Sequence, residues 1–300
     1  MQQPEPYISI IVPSYNRATF LEKRIPDLLK LDYLNYEIIV VDDGSTDNTS
    51  AVFDKIKAAN LRYYKKQNEE RAAARNYGAV LAIGDYITFM DSDDQLYPDA
   101  LKNAAAALKE KGYPAFLHMA YDIGTEDHIS KHVTNIKDNE PRILIVGNPL
   151  SCMGVFIKKE IFQLRKFNPD RALAGSEDWE LWLRLAANYG LRTDKRIVGR
   201  LIQHDTRSVI KVSEESLLLR KNLSLQYAFE DKAVQKLFSP YKNKIEAYMD
   251  TYISLHLAMG GIKARTWHYL IRAVICYPMI IFTKRSLIII KLLIFKKRIT

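Results

Sequence analysis

The first hundred residues repeat one order of elements: a short apolar run, a polar turn and then apolar residues at helical spacing. The apolar runs are YISIIVP at 7–13, YEIIVV at 36–41, LRYYK at 61–65 and YITFM at 86–90. Helical periods separate them, most clearly over residues 70–82. This alternation predicts a mostly parallel sheet with right-handed crossovers, an α/β fold whose ligand crevice lies beyond the carboxyl ends of the strands.

Two of these runs end in clustered carboxylates. Asp42 and Asp43 follow the second run, and Asp91, Asp93 and Asp94 follow the fourth. Crowded carboxylates repel one another unless a cation joins them, and Mg²⁺ or Mn²⁺ takes oxygen ligands from carboxylates, phosphates and water. We therefore expect a metal-bound diphosphate in the crevice. An acidic turn that caps the next helix is the alternative.

The pattern loosens beyond the helix predicted at 98–111. Strand-like runs follow at 115–121, 152–158 and 195–204. The polar stretch 122–142 has no sustained period, and we expect part of it to be a mobile loop. An amphipathic helix is predicted to follow its N-cap Ser176 and to end at Gly190. Beyond residue 212 only helices are expected, so we predict a catalytic domain at 1–212 and a helical region at 213–300.

Composition narrows the possible partners. The chain is 48% hydrophobic and carries a net charge of +9, which indicates an anionic partner. Its two cysteines, Cys152 and Cys276, form no framework spacing, and no cleavable signal is recognised before the first strand, so a reducing, cytoplasmic setting is expected. Nucleic acid is not expected as a partner, because the positive charge concentrates at the C-terminus beside apolar residues.

The C-terminal segment combines apolar and basic residues. Pro278 should break the helix before it and leave about 20 helical residues, at about 279–298. Lys284, Lys291 and Arg298 recur every seven residues and form a basic stripe. Such a helix is expected to lie in the membrane interface, which places the protein peripherally on the inner face of the membrane. A helix docked on the catalytic domain or in a homodimer is the alternative, and a transmembrane span fits least well.

Five motifs in this order resemble the family 2 glycosyltransferases of the GT-A fold, over roughly residues 7–206. They are SIIVPSYNR at 9–17, EIIVVDDGSTD at 37–47, AARNYGA at 73–79, DYITFMDSDD at 85–94 and SEDWELWLR at 176–184. The resemblance implies a nucleotide-sugar donor, usually a UDP-sugar, and transfer with inversion at the anomeric carbon. The expected acceptor is a hydroxyl of a glycan or lipid-linked glycan of the cell envelope.

The resemblance also implies roles for residues that contact the donor. Pro13 and Tyr15 would line the base pocket, and Asp43, with Asp42 beside it, would accept a hydrogen bond from the nucleobase imide. Holding the DGS turn is the alternative for this aspartate pair, and one of the two is expected to do only that. Arg75 would approach the diphosphate or ribose, since its fork of donors suits phosphate oxygens.

For the central acids, the resemblance implies contacts with the metal and the ribose. Asp93 is expected to be the principal metal ligand, with Asp91 and Asp94 on the ribose or in the metal site. His204 resembles the family's late histidine and could complete the metal site or bond a phosphate oxygen. Its alternative is a strand-end histidine satisfied by backbone. Arg207 is a further candidate for donor binding.

Asp178 is the expected catalytic base, because the acceptor hydroxyl must lose a proton as it attacks the anomeric carbon. First-turn acids also complement the helix macrodipole, so a capping role is the alternative. Glu177, a candidate for donor binding, could equally be the functional carboxylate. The sequence departs from the family at Glu70 and Arg71, a region where glycine is common, and this leaves the geometry of the donor loop open.

Two rival functions are weighed against this one. A sugar-phosphate nucleotidyltransferase would need a glycine-rich, basic loop after the first strand, and VPSYNR has no glycine. A catalytically silent nucleotide-sugar-binding subunit would not need the acids at 93 and 178. Both acids are present.

Overall fold

The computed structural model describes residues 4–203 and 213–295 and is organised around one nine-stranded sheet. The strands are β1 (Ile8–Ser14), β2 (Tyr36–Asp42), β3 (Leu61–Lys65), β4 (Tyr86–Phe89), β5 (Gln95–Leu96), β6 (Phe116–Gly124), β7 (Ile129–Val133), β8 (Val155–Lys158) and β9 (Arg192–Ile202). The helices of the first part are α1 (Ala18–Leu28), α2 (Thr49–Asp54), α3 (Glu70–Leu81), α4 (Ala100–Glu110), α5 (Lys159–Leu164) and α6 (Glu177–Tyr189). The C-terminal helices are α7 (Glu214–Glu230), α8 (Lys232–Phe238), α9 (Lys242–Met259), α10 (Lys263–Cys276) and α11 (Lys284–Phe295).

The sheet is parallel in its first half and mixed in its second. Its order is β3-β2-β1-β4-β8-β6-β9-β5. The ninth strand, β7, lies outside this order and pairs with β6. The neighbours β3, β2, β1 and β4 are all parallel, as the sequence predicted, whereas β8 runs antiparallel to both β4 and β6. The chain runs from β1 to β2 and β3 on one side, and the connection after β3 then returns to place β4 on the other side of β1. This reversal is the place where an α/β sheet opens a ligand crevice.

Alternate residues of the buried strands divide the core into two layers. In β1, Ile10 and Val12 pack with the layer that contains α1 and α4, whereas Ile11 packs with the layer that contains α3 and α6. Ile38 and Ile39 of β2 divide in the same way. The two-residue period of a strand produces this division, and burial on both faces explains why these strands read as continuous apolar runs.

The second half of the sheet departs from the sequence prediction. Residues 152–154 form a 3₁₀ turn, so β8 begins only at Val155. The stretch expected to be partly a mobile loop contains β7, an antiparallel partner of β6. Its sequence, ISKHV, is half-exposed or exposed throughout, so the burial that makes a strand recognisable is missing. An edge strand of this kind is held mainly by its backbone hydrogen bonds.

The C-terminal helix is shorter than expected. Pro278 opens a 3₁₀ turn that ends at Phe282, and α11 begins at Lys284, five residues later than predicted. The side chains of Ile289 and Leu293 pack against Ala258 of α9 and Leu270 of α10, which docks one face of α11 on its neighbours. Within residues 4–203 and 213–295, no helix is both long enough and apolar enough to cross a bilayer.

Candidate active site

The loops after β1 and β2 are joined into one rigid corner. The side-chain oxygen of Asn16 accepts a hydrogen bond from the Thr46 amide at 2.8 Å, and the Asn16 amide donates to Ser45 Oγ at 2.8 Å. Gly44 has a φ of +82°, and a Cβ there would lie 2.9 Å from the Asn68 amide nitrogen. Only glycine fits this close approach, which explains the DGS sequence.

The two aspartates of this corner have different surroundings. Asp42 is fully buried, and its carboxylate accepts from the Ser45 amide at 2.7 Å and from the Tyr63 hydroxyl at 2.6 Å. This geometry favours the turn-holding alternative for Asp42 over a base contact. Asp43 lines the crevice, and the side-chain contacts described for it fall on Oδ1, from Lys66 and from the Glu69 amide, each at 3.0 Å.

The crevice at the strand ends, which we call the strand-end cleft, has a volume of about 490 Å³. It contains most of the predicted donor contacts: Pro13, Tyr15, Asp43, Asp91 and Asp93. Arg17, Asn68, Glu70 and Arg71 also line it. Tyr15 is one of these lining residues and is 48% exposed. An exposed aromatic ring in a cleft can stack on a planar ligand.

The three acids after β4 converge as the sequence predicted. One carboxylate oxygen from each of Asp91, Asp93 and Asp94 lies within 4.8 Å of the others. Asp94 is buried and accepts from the Ile202 amide at 3.1 Å, which ties the acids to the end of β9. Three convergent carboxylates are a donor set that fits Mg²⁺ or Mn²⁺. His204 and Arg207, two further predicted contacts, lie outside the described residues.

Arg75 is not among the residues that line the strand-end cleft, and its predicted contact with the diphosphate or ribose stays a prediction. It is 1% exposed and donates to Asp91 Oδ1 at 2.6 Å and to Glu177 Oε1 at 2.9 Å. Its guanidinium also lies 5.3 Å from the centre of the Phe167 ring. Arg71, one helical turn earlier, lines the cleft in its place. Arg75 therefore positions Asp91 and Glu177 relative to each other, which the motif alone did not indicate.

The two predicted acids at the start of α6, Glu177 and Asp178, have different surroundings. Glu177 is buried and accepts from the Gly175 amide at 2.6 Å in addition to Arg75. Asp178 accepts from Asn148 Nδ2 at 2.7 Å and lines a neighbouring cavity. Burial, and then the charge of Glu177, raise the pKa of Asp178 to about 6. Glu177, the residue before Asp178, is joined to Asp91 through Arg75.

The neighbouring cavity, which we call the helix-side pocket, has a volume of about 320 Å³. One wall comes from residues 145–148 and from 175–179, and the other comes from α7, α9 and the first turn of α11. This pocket was not predicted, because the sequence beyond residue 212 indicated helices but not how they pack. Asn148, which bonds Asp178, was also missed, because it lies in an irregular segment outside any motif.

Glu70 lies where the sequence departs from the family that it resembles. It has a φ of +78°, a left-handed conformation that favours glycine, in the region where the family commonly has glycine. Its side chain lines the strand-end cleft beside Arg71. The backbone therefore keeps a glycine-like conformation at this point although a carboxylate replaces the glycine.

Comparison with known proteins identifies the family of this chain. The family model described as glycosyl transferase family 2 matches residues 9–171, more than half of the chain. An uncharacterised glycosyltransferase of Rickettsia felis is 31% identical over 241 residues, which cover 78% of this chain and 39% of the relative. The chain thus spans about two fifths of that relative's length. A Campylobacter jejuni GalNAc(5)-diNAcBac-PP-undecaprenol beta-1,3-glucosyltransferase is 31% identical over 192 residues, 60% of each protein.

Two solved structures share the fold. Residues 1–349 of Staphylococcus aureus TarS in complex with UDP-GlcNAc superpose with a TM-score of 0.60 at 17% identity, covering 91% of this chain and 90% of that one. The Pyrobaculum calidifontis mannosyltransferase PcManGT, in complex with GDP-Man and Mn²⁺, gives a TM-score of 0.58 at 19% identity, covering 94% and 88%. The resemblance seen in the sequence is confirmed: the chain belongs to glycosyl transferase family 2 and has the GT-A fold.

Proposed function

We propose that this protein is a metal-dependent, inverting glycosyltransferase that moves a sugar from a UDP-sugar to a hydroxyl of a glycan or lipid-linked acceptor in cell-envelope glycoconjugate synthesis. Residues 1–212 form the catalytic domain, and residues 213–300 complete the acceptor side. The observation that carries the proposal is the Asp91–Arg75–Glu177 ion-pair network, which joins an acid of the strand-end cleft to the residue beside Asp178.

The donor occupies the strand-end cleft in this proposal. Tyr15 and Pro13 receive the base, and Asp43 accepts the imide hydrogen. Because both described side-chain contacts of Asp43 fall on one oxygen, its second oxygen is suited to the imide. Arg71 is placed to contact the diphosphate, since a fixed fork of donors matches phosphate oxygens. Complexes of related folds with UDP-GlcNAc and GDP-Man support a nucleotide-sugar donor.

A divalent cation is held by the acids after β4 in this proposal. Asp93, which lines the cleft, is the principal ligand, and Asp91 and Asp94 complete the set. When bound, such an ion stabilises negative charge on the leaving diphosphate. The protein holds the ligands in place, since Arg75 fixes Asp91 and the Ile202 amide fixes Asp94. His204 and Arg207 remain predicted contributors outside the described residues.

Asp178 removes the proton of the acceptor hydroxyl. Its pKa of about 6 leaves it ionised at neutral pH yet basic enough to accept a proton in the transition state. Asn148 bonds one carboxylate oxygen and the Trp179 amide bonds the other, so the group is oriented at the wall of the helix-side pocket. In-line attack from the side opposite the diphosphate inverts the anomeric carbon.

The C-terminal helices bind the membrane peripherally, on its cytoplasmic face. Large apolar side chains are exposed on α10, the 3₁₀ turn after it and α11: Trp267, Ile271, Ile275, Met279, Phe282, Leu287, Ile288 and Ile294. Exposed Lys284 and Lys291 accompany them on α11. Apolar side chains beside lysines suit the surface of an anionic leaflet. The Campylobacter relative, named for an undecaprenol-linked acceptor, supports a membrane-borne substrate.

The proposal is tested by screening nucleotide sugars for hydrolysis in Mg²⁺, in Mn²⁺ and in EDTA. A UDP-sugar should be cleaved only with metal, and Asp93→Asn should lower the rate at least about 10²-fold, because the ion contributes several kcal/mol. Asp127→Asn, at an exposed site outside the cleft, is the matched control and should behave as wild type. Proton NMR of the transfer product reports the anomeric configuration.

Three outcomes would contradict parts of the proposal. Full activity in EDTA would remove the metal, and a retained anomeric configuration would remove the inverting mechanism. Donor binding by calorimetry without any turnover would instead support the silent nucleotide-sugar-binding subunit.

A further inference from the structure

The helix-side pocket is built jointly by the catalytic region and the C-terminal helices. Asp178 and Trp179 line it from α6, and Tyr248 and Tyr252 line it from α9. Three cationic side chains also line it: Arg220 and Lys221 of α7 and Arg285 of α11. The pocket therefore combines an aromatic wall with a concentration of positive charge beside Asp178.

Lys221 is neutralised within the protein. Its ammonium lies 2.5 Å from the carboxylate of Asp250, and both side chains are almost completely buried. This pair is part of the helix packing, since a buried charge requires a partner of opposite sign. Lys221 is therefore not available to hold a ligand.

Arg285 has only neutral partners among the described residues. One guanidinium nitrogen donates to the Tyr248 carbonyl at 2.9 Å and to Thr251 Oγ1 at 3.3 Å. The other terminal nitrogen lies 3.6 Å from the position of a Cβ on Gly147, the residue before Asn148. Burial lowers the pKa of Arg285, as expected for a half-buried cation without a carboxylate.

Arg220 faces the same space from α7. Its guanidinium lies 3.1 Å from the position of a Cβ on Gly175, three residues before Asp178. No carboxylate within 4–203 or 213–295 lies at ion-pair distance from it. Tyr252 lies close to both arginines. Burial raises the pKa of its hydroxyl, and the positive charges of Arg220 and Arg285 oppose that rise. The two guanidinium groups therefore share one site.

We infer that the helix-side pocket binds an oxyanion, a phosphate or carboxylate group of the acceptor, through Arg220 and Arg285. Two guanidinium forks that have no carboxylate partner among the described residues match the oxygens of such a group. The aromatic wall of Trp179, Tyr248 and Tyr252 receives the attached apolar or sugar portion. This inference rests on the proposed function, and it specifies the acceptor as anionic.

The placement of the site relative to Asp178 gives it a role in reaction geometry. Arg285 lies near Gly147, beside the asparagine that bonds Asp178, and Arg220 lies near Gly175, two residues before α6 begins. An acceptor held by its anionic group would present a nearby hydroxyl to the base. The C-terminal helices would then select the acceptor, whereas the sheet supplies the donor site.

Calorimetry with four probes tests the inference while saturating UDP and Mg²⁺ fill the strand-end cleft. The probes are phenyl β-D-glucoside, phenyl β-D-glucuronide, phenyl phosphate and farnesyl diphosphate. At least one anionic probe should bind about tenfold or more tightly than the neutral glucoside, as a charge-assisted hydrogen bond allows. Arg220→Gln and Arg285→Gln should each remove this preference. Lys236→Gln, which removes one positive charge at an exposed position of α8 outside the pocket, should keep it.

The pattern of binding identifies the source of the anion. Preference for the glucuronide indicates an acidic sugar, preference for phenyl phosphate indicates a phosphorylated glycan, and preference for farnesyl diphosphate indicates a lipid carrier. Equal binding of neutral and anionic probes to the wild type would overturn the inference. So would a preference that survives in the double variant.

Two further measurements keep the test decisive. Because Arg285 also bonds the α9 backbone, thermal melting must accompany its variant, and Arg220→Gln is the cleaner change since no hydrogen bond within the described chain depends on it. In transfer assays the acceptor KM should rise about tenfold while the donor KM stays constant. If UDP itself fails to bind, the proposed function fails. If UDP binds and no anion preference appears, only this inference fails.

Discussion

The strand-end cleft and the helix-side pocket are built in opposite ways. Asp91 of the cleft is joined through Arg75 to Glu177, the residue between Ser176 and Asp178 of the pocket. The cleft is polar and takes its described lining from four segments within residues 13–93. The pocket is largely aromatic and apolar, with two arginines, and takes its walls from segments scattered over residues 145–285. Strand ends place the acids of the cleft, whereas helix packing alone places the arginines of the pocket.

The difference suggests a division of labour. A sheet edge fixes its side chains rigidly, which suits a donor diphosphate common to many enzymes. Packed C-terminal helices can vary without disturbing the sheet, which suits recognition of the proposed acceptor. Asp178 lies where the two regions meet. The following predictions test this comparison, from the largest expected effect to the smallest.

Asp178→Asn should abolish transfer without affecting donor binding in the strand-end cleft. Without a base, kcat should fall about 10²- to 10⁴-fold, while UDP binding measured by calorimetry stays unchanged. Glu215→Gln, which removes an exposed first-turn acid from α7, is the matched control. If Asp178 only complements the helix dipole, both variants would keep their kcat and show a similar small loss of stability.

Glu177→Gln should destabilise the protein by removing the Arg75–Glu177 ion pair. The change removes one carboxylate from the fully buried Arg75 and should lower the free energy of unfolding by about 3–5 kcal/mol. Urea denaturation measures this loss. Glu110→Gln, which breaks the surface pair with Arg196, should change stability little. Equal losses of stability in both variants would mean that the Arg75–Glu177 pair stabilises the fold no more than a surface ion pair does.

The pH dependence of kcat should report Asp178. Burial and Glu177 raise its pKa to about 6, so the base is ionised above that pH and protonated below it. The rate should be constant above about pH 7 and fall roughly tenfold per unit below about pH 6. Steady-state assays at saturating substrates from pH 5 to 8 measure this profile. A profile that is flat down to pH 5 would exclude a base with this pKa.

The exposed face of the C-terminal helices should show the smallest effect. Lys284→Gln and Lys291→Gln should each weaken binding to phosphatidylglycerol vesicles about fivefold, near the value of about 1 kcal/mol per basic residue. Lys195→Gln, on the exposed part of β9, is the control. Point changes are preferable to deleting 279–300, because Ile280, Ile289 and Leu293 are buried and Arg285 lines the pocket. Unchanged vesicle binding together with dimers in ultracentrifugation would favour a dimer contact.

Much of the catalytic region was predictable from the sequence. Buried parallel strands appear as continuous apolar runs, and acids at their ends must converge at one edge, so the clustering of Asp91, Asp93 and Asp94 followed from the pattern. The roles of Asp42 and Arg75 did not follow in the same way. Both residues match family motifs. In the structure, however, Asp42 is hydrogen-bonded to Ser45 and Tyr63, and Arg75 is hydrogen-bonded to Asp91 and Glu177. A motif identifies a residue type at a position but not its partners.

The sequence by itself determined the parallel half of the sheet, the acidic cluster and the family, because these depend on local periodicity and on residues close together in the chain. Only the tertiary structure decided that β7 forms, that Arg75 pairs with Asp91 and Glu177 and that Arg220 and Arg285 share a pocket with Asp178. Each of these depends on contacts between residues far apart in the chain. Such contacts are set by how helices and sheet pack, and no short-range pattern records that packing.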